Sequence, residues 1–343
     1  MRSPKPKPMR AVVLESPGKL RLRDLPVPEP APDQVLLEVK AAGVCGTDLH
    51  IYEGDFPATF PLIPGHEFSG QVVAAGGDVG QALLGARVAV DPNVPCRSCT
   101  FCSTRREHLC KRLTAYGVHR NGGFAEHAVV NVQNVHPIGD LSFEQGALIE
   151  PLACVLHGMS LVQIRLGDEV LIFGAGPIGL LLCQAALHGG AARLAVVDLS
   201  EEKLESARSV GADEVHVGKR DPRPRIRKTH PDGFDLVIDA TGGPAVVESL
   251  PAYVRDGGKL LYFGVCPQDA RISLSPFEVY RRELKIFGTF SLLGDFVPAI
   301  RLVESGRVDL APIVSHRFPL REFHRAIKLM GTQRHRKIII SRT

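Results

Sequence analysis

Hydrophobic positions along the first 150 residues fall in short runs: AVVLES, KLRLRDLP, VLLEVKAAGV, GQVVAAGG, ARVAVDP and AEHAVVN. Gly, Pro and Asp bound them, as turns bound strands. No long helical pattern separates the runs, so they predict a barrel-like β domain. Near residue 155 the rhythm changes. EVLIFGAG reads as a strand and PIGLLLCQAALHGG as a helix closed by glycines, and RLAVVDLS with EEKLESARSVG repeats the pair. DEVHV, FDLVIDATGG, KLLYFGVC and ELKIFGTF supply further strands. Strands alternating with helical patterns predict a parallel sheet in a doubly wound α/β domain. Beyond Phe290, DFVPAIRLVESGRV and HRAIKLM read as helices and KIIISRT as a closing strand. The expected organisation is a β-rich domain over 1–155, an α/β domain over 156–290, and a segment 291–343 that returns to the first domain.

Composition narrows the class. The chain has 343 residues and is 44% hydrophobic, enough for two cores. Its 34 glycines suit tight turns and close backbone approach to ligands. A net charge of +4 is too mild to imply nucleic acid. The basic opening MRSPKPKPMR lacks the apolar core of a signal peptide and reads as a loose tail before the first strand. The longest apolar runs, such as IGLLLCQAAL, fall short of the ~20 residues of a membrane span. A cytoplasmic protein without membrane or nucleic-acid partners is expected.

The turn GAGPIG holds Gly174, Gly176, Pro177, Ile178 and Gly179 between a predicted strand and helix. The first glycine permits the tight turn, the second lets a pyrophosphate approach, and the third permits close helix–strand packing. Amides at the helix start then face negative charge. By itself GxGxxG also fits a strand–helix turn with no ligand. Here a second strand follows and ends at Asp198, about 20 residues on, where a ribose-binding carboxylate belongs. That acid would repel a 2′-phosphate, which points to NAD. Lys203, in the next helix, is counted with the cofactor-binding residues.

Four of the eight cysteines, Cys96, Cys99, Cys102 and Cys110, crowd into PCRSCTFCSTRREHLC. Such short loops can wrap four thiolates around one tetrahedral zinc, leaving no open position, so this site should be structural. Free thiols or two disulfides are the bland readings, and a reducing compartment argues against the disulfides. A second ligand set is dispersed. Cys45 follows VLLEVKAAGV, and His66 and Glu67 lie in PLIPGHE. Taken singly, a buried cysteine is usually a small hydrophobe. Asp48, close to Cys45, can act as acceptor for a ligand histidine. Glu150 and Cys154 of IEPLACVLHG are two more candidates. A catalytic zinc needs about three protein ligands and one open position, and five groups compete for them.

Taken together, CGTDLH, GHE, the four-cysteine lobe, EPLA and GAGPIG resemble, in order and nearly end to end, the zinc-dependent medium-chain dehydrogenase/reductase superfamily. The resemblance implies a GroES-like catalytic domain and a Rossmann domain, with the active site in the cleft between them. CGTDLHIYEGDFP, FPLIPGHEFSG and IEPLACVLHG look most like the polyol branch, which includes sorbitol and arabitol dehydrogenases. Threonine dehydrogenases share the CGTD-x-HIY run but usually differ after the acid–proline pair. The resemblance implies that Cys45 and His66 are zinc ligands, that Glu67 is a ligand or exchangeable partner, and that Glu150 completes the set, with Cys154 in reserve. It also implies that Thr47 and His50 relay the substrate proton. Other alcohol dehydrogenases of the superfamily carry a basic residue just after the first ligand cysteine, where it meets the pyrophosphate; here Gly46 stands there.

The expected function is therefore reversible, NAD-linked oxidation of a secondary alcohol of a polyol to a ketone. The expected cofactors are NAD and two zincs, one catalytic and one structural, and the expected assembly is a homodimer or homotetramer. L-Threonine 3-dehydrogenase, a general secondary alcohol dehydrogenase, and a non-catalytic dinucleotide sensor are the rival readings. Tyr52, Phe56, Phe290 and Leu292 are candidates to line a substrate site, and each could equally be core.

Overall fold

Both hydrophobic patterns become sheets in the computed structural model, which describes residues 8–332 and 334–341. Residues 1–7 of the basic opening and 342–343 of the closing run lie outside the described residues. The chain divides into two compact units.

The first unit runs to Pro151 and adds Phe296–Glu304 and the chain from Val314 on. Its seven-stranded sheet is centred on Gln34–Val44. That strand pairs antiparallel with Lys337–Ser341 and Glu67–Ala75, and also with His127–Asn131. Arg87–Val90 and Val135–Pro137 extend one edge, and Val314–Pro319 the other. A Met9–Ser16/Lys19–Leu25 hairpin forms a separate small sheet. One face of the large sheet closes over Val35, Leu37, Phe68, Phe124, Val130, Phe323 and Ile338. Burying these side chains removes on the order of 1.5–3 kcal/mol of hydration cost for each large one.

The second unit spans Leu152–Asp295 plus Ser305–Ile313. It carries a six-stranded sheet whose pairings are all parallel. Numbered by appearance in the chain, its strands are Glu169–Phe173, Arg193–Asp198, Glu214–Val217, Phe234–Asp239, Val254–Tyr262 and Lys285–Gly288. They lie in the order 3-2-1-4-5-6, the doubly wound dinucleotide-binding topology. Val170, Leu171, Ile172, Val196, Leu236, Val237 and Ile238 are fully buried, so the strands read as continuous apolar runs rather than alternating ones.

The tail expected to return whole to the first domain is divided. Residues 305–313 belong to the second unit, where Gln184 clasps Asp309: Nε2 donates to the Asp309 carbonyl (2.9 Å), and the Asp309 amide donates to Oε1 (2.7 Å). Buried Val308, Leu310 and Ile313 complete the attachment. IEPLACVLHG, to which the pattern assigned no element, is part of the helix Ile149–Val162. Most of that helix is buried, so no clear amphipathic period marks it, and Pro151 is tolerated because it sits in the first turn. Among the described residues no helix is long and apolar enough to cross a membrane.

Candidate functional site

The four-cysteine lobe forms as its spacing predicts. One Sγ from each of Cys96, Cys99, Cys102 and Cys110 lies within 4.8 Å of the others. Cys99 Sγ is 3.6 Å from Cys102 Sγ and 3.8 Å from Cys110 Sγ. Tetrahedral thiolates around zinc stand about 3.8 Å apart for a Zn–S bond of about 2.3 Å, so the donor set fits that metal. Backbone amides support the thiolates: Cys96 N and Arg112 N donate to Cys110 Sγ at 3.3 and 3.4 Å. Hydrogen bonds from Ser98 pull the Cys96 thiol down to about 5, whereas burial pushes Cys102 up to about 12. A cation at the centre favours the thiolate form of both.

The second ligand group is assembled by strand ends. Cys45 follows the central strand and caps the helix Gly46–Glu53, while His66 and Glu67 enter the neighbouring strand. Ligand atoms of Cys45, His66 and Glu67 lie within 4.8 Å of one another. Asp48 locks the corner: its carboxylate accepts from the amides of Cys45 (2.9 Å) and Gly65 (3.3 Å) and stands 3.7 Å from His66 Nδ1. That Nδ1 is buried with no hydrogen-bond partner among the described residues. Burial raises the Asp48 carboxyl, with His66 opposing. For His66, burial acts downward, but the negative charges of Cys45, Asp48 and Glu150 outweigh it and raise the imidazole well above its ordinary value. A thiol and carboxylates converging on a buried imidazole whose Nδ1 has no hydrogen-bond partner make a donor set that fits a divalent cation.

Glu150 is buried at the start of its helix and lies outside the 4.8 Å group, although its charge reaches His66. Cys154 lies one turn further along the same helix, within the second unit. Thr47 Oγ1 lies 3.7 Å from Cys45 Sγ. His50 is exposed in the last turn of its helix, beside Glu53 and Asp55. Tyr52 and Phe56 pack against Leu14, Ile51, Leu62 and Val118, Leu292 is buried, and Phe290 is exposed.

Lys337 is the residue that sequence reasoning missed. Its ammonium is buried and bonds Glu67 Oε1 at 2.7 Å and Oε2 at 2.8 Å. Burial acts to lower its pKa, but Glu67, Cys45 and Glu150 raise it. A glycine inside a strand, Gly43, was the available signal, because it marks close approach of another group.

In the second unit the glycine turn has the geometry its residues require. Gly174 has φ 104°, a left-handed value that suits glycine. A Cβ at Gly179 would lie 1.8 Å from the Gly174 carbonyl oxygen. Gly176 caps the helix Pro177–His188, and a Cβ there would meet nothing within 4 Å. Pro177 and Ile178 form the first helical turn. Asp198 ends its strand with Oδ2 accepting from Ala175 N (2.7 Å) and Oδ1 from Ser200 N (2.8 Å). A carboxylate has about four acceptor positions, so capacity is left for ribose hydroxyls. Lys203 N donates to the Ser200 side chain (3.3 Å), opening the next helix.

Comparison with known proteins identifies the family. Residues 31–140 match the alcohol dehydrogenase GroES-like domain, and residues 177–305 match the zinc-binding dehydrogenase domain. The chain is 43% identical to D-altritol 5-dehydrogenase of Agrobacterium fabrum (strain C58 / ATCC 33970), over 92% of this chain and 94% of that one. It is 37% identical to D-arabinitol dehydrogenase 1 of Uromyces fabae, over 98% and 97%. Among solved structures, a provisionally named zinc-binding dehydrogenase of Sinorhizobium meliloti 1021, bound to NADP, superposes with a TM-score of 0.93. That protein is 36% identical, with 97% of this chain and 99% of the other covered. The chain thus belongs to the zinc-binding, medium-chain alcohol dehydrogenase family, with a GroES-like domain and a Rossmann dinucleotide-binding domain.

Proposed function

We propose that the protein is a zinc-dependent polyol dehydrogenase that oxidises a secondary hydroxyl to a ketone and passes the hydride to NAD in preference to NADP. The observation that carries the substrate class is the 43% identity to D-altritol 5-dehydrogenase over nearly the whole chain. The two ligand groups support two zincs per chain, one structural and one catalytic. Asp198 supports NAD, because a 2′-phosphate brought beside it meets a like charge, at a cost of several kcal/mol.

In this reading Cys45 and His66 would hold the catalytic zinc with Glu67, which shares their group, or Glu150 completing the set, and Asp48 orients His66. When bound, that zinc supplies Lewis-acid polarisation of the substrate hydroxyl. Thr47, beside Cys45, would take the substrate proton on its hydroxyl oxygen while giving up its own hydroxyl proton toward His50 and solvent. His50 stands one helical turn on and is open to solvent, as the terminal base of a relay must be. The family resemblance supports a cytoplasmic homodimer or homotetramer, which light scattering on the purified protein would test.

The deciding experiment measures reduction of NAD and NADP with altritol, arabitols, sorbitol, xylitol, butanediol and L-threonine. The expected result is highest kcat/KM with a polyol and NAD. Turnover of L-threonine alone, or of no alcohol at all, would overturn the reading.

A further inference from the structure

We propose that Lys219 and Arg220 form a cationic lip on the cofactor crevice of the second unit, drawing the anionic dinucleotide in from solution and so setting the rate of its capture rather than the tightness of its hold. The inference rests on the cofactor reading above and deepens it.

The sheet places the lip. The third strand of that unit, Glu214–Val217, lies beside the second, and Val217 pairs with Asp198. The Gly218 amide then donates to the Asp198 carbonyl oxygen at 2.9 Å. Lys219 and Arg220 follow directly. Neighbouring strands stand about 4.8 Å apart and an extended residue spans at most about 3.6 Å, so the Lys219 backbone lies within about 12 Å of the Asp198 backbone. This is the end of the sheet at which a doubly wound fold takes its dinucleotide.

Charge at this corner is one-sided. Lys219 and Arg220 are exposed, and among the described residues neither has an acidic partner. The adjacent acid, Asp221, is already engaged: Arg223 pairs with its Oδ2 through Nε (2.9 Å) and Nη2 (2.8 Å), and the Tyr253 hydroxyl donates to Oδ1 (3.3 Å). Residues 219–228 hold Lys219, Arg220, Arg223, Arg225, Arg227 and Lys228 against this one carboxylate, whereas the whole chain is only +4. The positive excess of the protein is thus gathered in this segment, and its first two members stand nearest the crevice.

Asp198, the carboxylate that serves the ribose, also repels an approaching pyrophosphate. Exposed cations about a Debye length away offset that repulsion during approach. They act through space, need no fixed contact, and lose their effect in salt. Because both side chains are solvated, they add little to the bound state.

The test is stopped-flow binding of NADH to the zinc-loaded protein, followed by nicotinamide fluorescence. At about 10 mM salt, where the Debye length is about 30 Å, the Lys219→Gln/Arg220→Gln double variant should associate about threefold to tenfold more slowly than wild type. Its dissociation rate should stay within about twofold. At about 1 M salt, where that length falls to about 3 Å, the two proteins should associate alike. Arg227→Gln/Lys228→Gln removes the same charge from the far end of the segment. Those residues lie within one turn of His230, which bonds Glu169 and Glu214, the first residues of their strands, at the opposite end of the sheet. This control should associate within about twofold of wild type at either salt. Equal slowing in both double variants would make the effect one of net charge and overturn the lip. Faster dissociation without slower association would make Lys219 and Arg220 holding contacts and overturn it as well. Wild-type protein that binds no NADH overturns the cofactor reading and this inference with it. Normal NADH binding with an unresponsive Lys219→Gln/Arg220→Gln variant overturns the lip alone.

Discussion

Adding one methyl group at Gly179 should damage cofactor binding and stability together. The new Cβ would lie 1.8 Å from the Gly174 carbonyl oxygen and 2.8 Å from its carbon. Ordinary contact begins at 3.4 Å. The glycine turn and the helix Pro177–His188 must therefore separate by about 1.6 Å, and both obstacles are backbone, so no rotamer change relieves them. Overpacking of this kind costs about 1–3 kcal/mol, which in a unit of this size is about 2–4 °C of melting temperature per kcal/mol. Moving the turn also strains the bond from Ala175 N to Asp198, 2.7 Å long, and shifts the amides meant for the pyrophosphate. Losing one hydrogen bond to a charged group is worth about 1.5–3 kcal/mol, so NADH affinity should fall by roughly 10–150-fold. Gly176→Ala is the comparison. Its Cβ meets nothing within 4 Å, and its φ of −72° suits any residue, so the variant should melt within about 2 °C of wild type. It should still bind NADH weakly, because the methyl occupies the space that the second glycine leaves for phosphate. NADH fluorescence titration and calorimetry read the two quantities. NADH affinity within twofold of wild type in Gly179→Ala would refute the reasoning, as would Gly176→Ala melting as low as Gly179→Ala.

Three further outcomes are expected. Asp198→Ala should narrow the preference for NAD over NADP in kcat/KM by at least about tenfold, since the like charge is gone; an unchanged ratio would place the discrimination elsewhere. Cys45→Ser should remove one zinc and turnover while circular dichroism stays native, whereas Cys99→Ser should remove the other zinc and lower the melting temperature. In protein stripped by a chelator at pH 7, Cys96 should alkylate well before Cys102. A thiol held at about 5 is thiolate above that pH, and one pushed to about 12 stays protonated. Equal labelling in peptide mass mapping would contradict this.

Much of this protein is decided by local sequence. Continuous apolar strands, each followed by a helical pattern, dictate a parallel sheet, because strands buried on both faces need crossover helices. GAGPIG dictates its turn because positive φ at Gly174 and the 1.8 Å approach at Gly179 exclude a side chain. The cysteine lobe is legible for the same reason: fifteen consecutive residues supply a whole tetrahedron. What the sequence leaves open is whatever depends on packing between distant segments. The helix Ile149–Val162 is buried around most of its circumference, so its own pattern carries no clear amphipathic period. The tail divides because Gln184 and Asp309, 125 residues apart, find each other. Lys337 reads as an ordinary polar residue opening an apolar strand. Only the register of three strands brings it over Gly43 to Glu67, 270 residues away in the chain. Charge and hydrogen bonding act across space over a few ångströms, and that proximity is set by sheet register, which no single segment encodes.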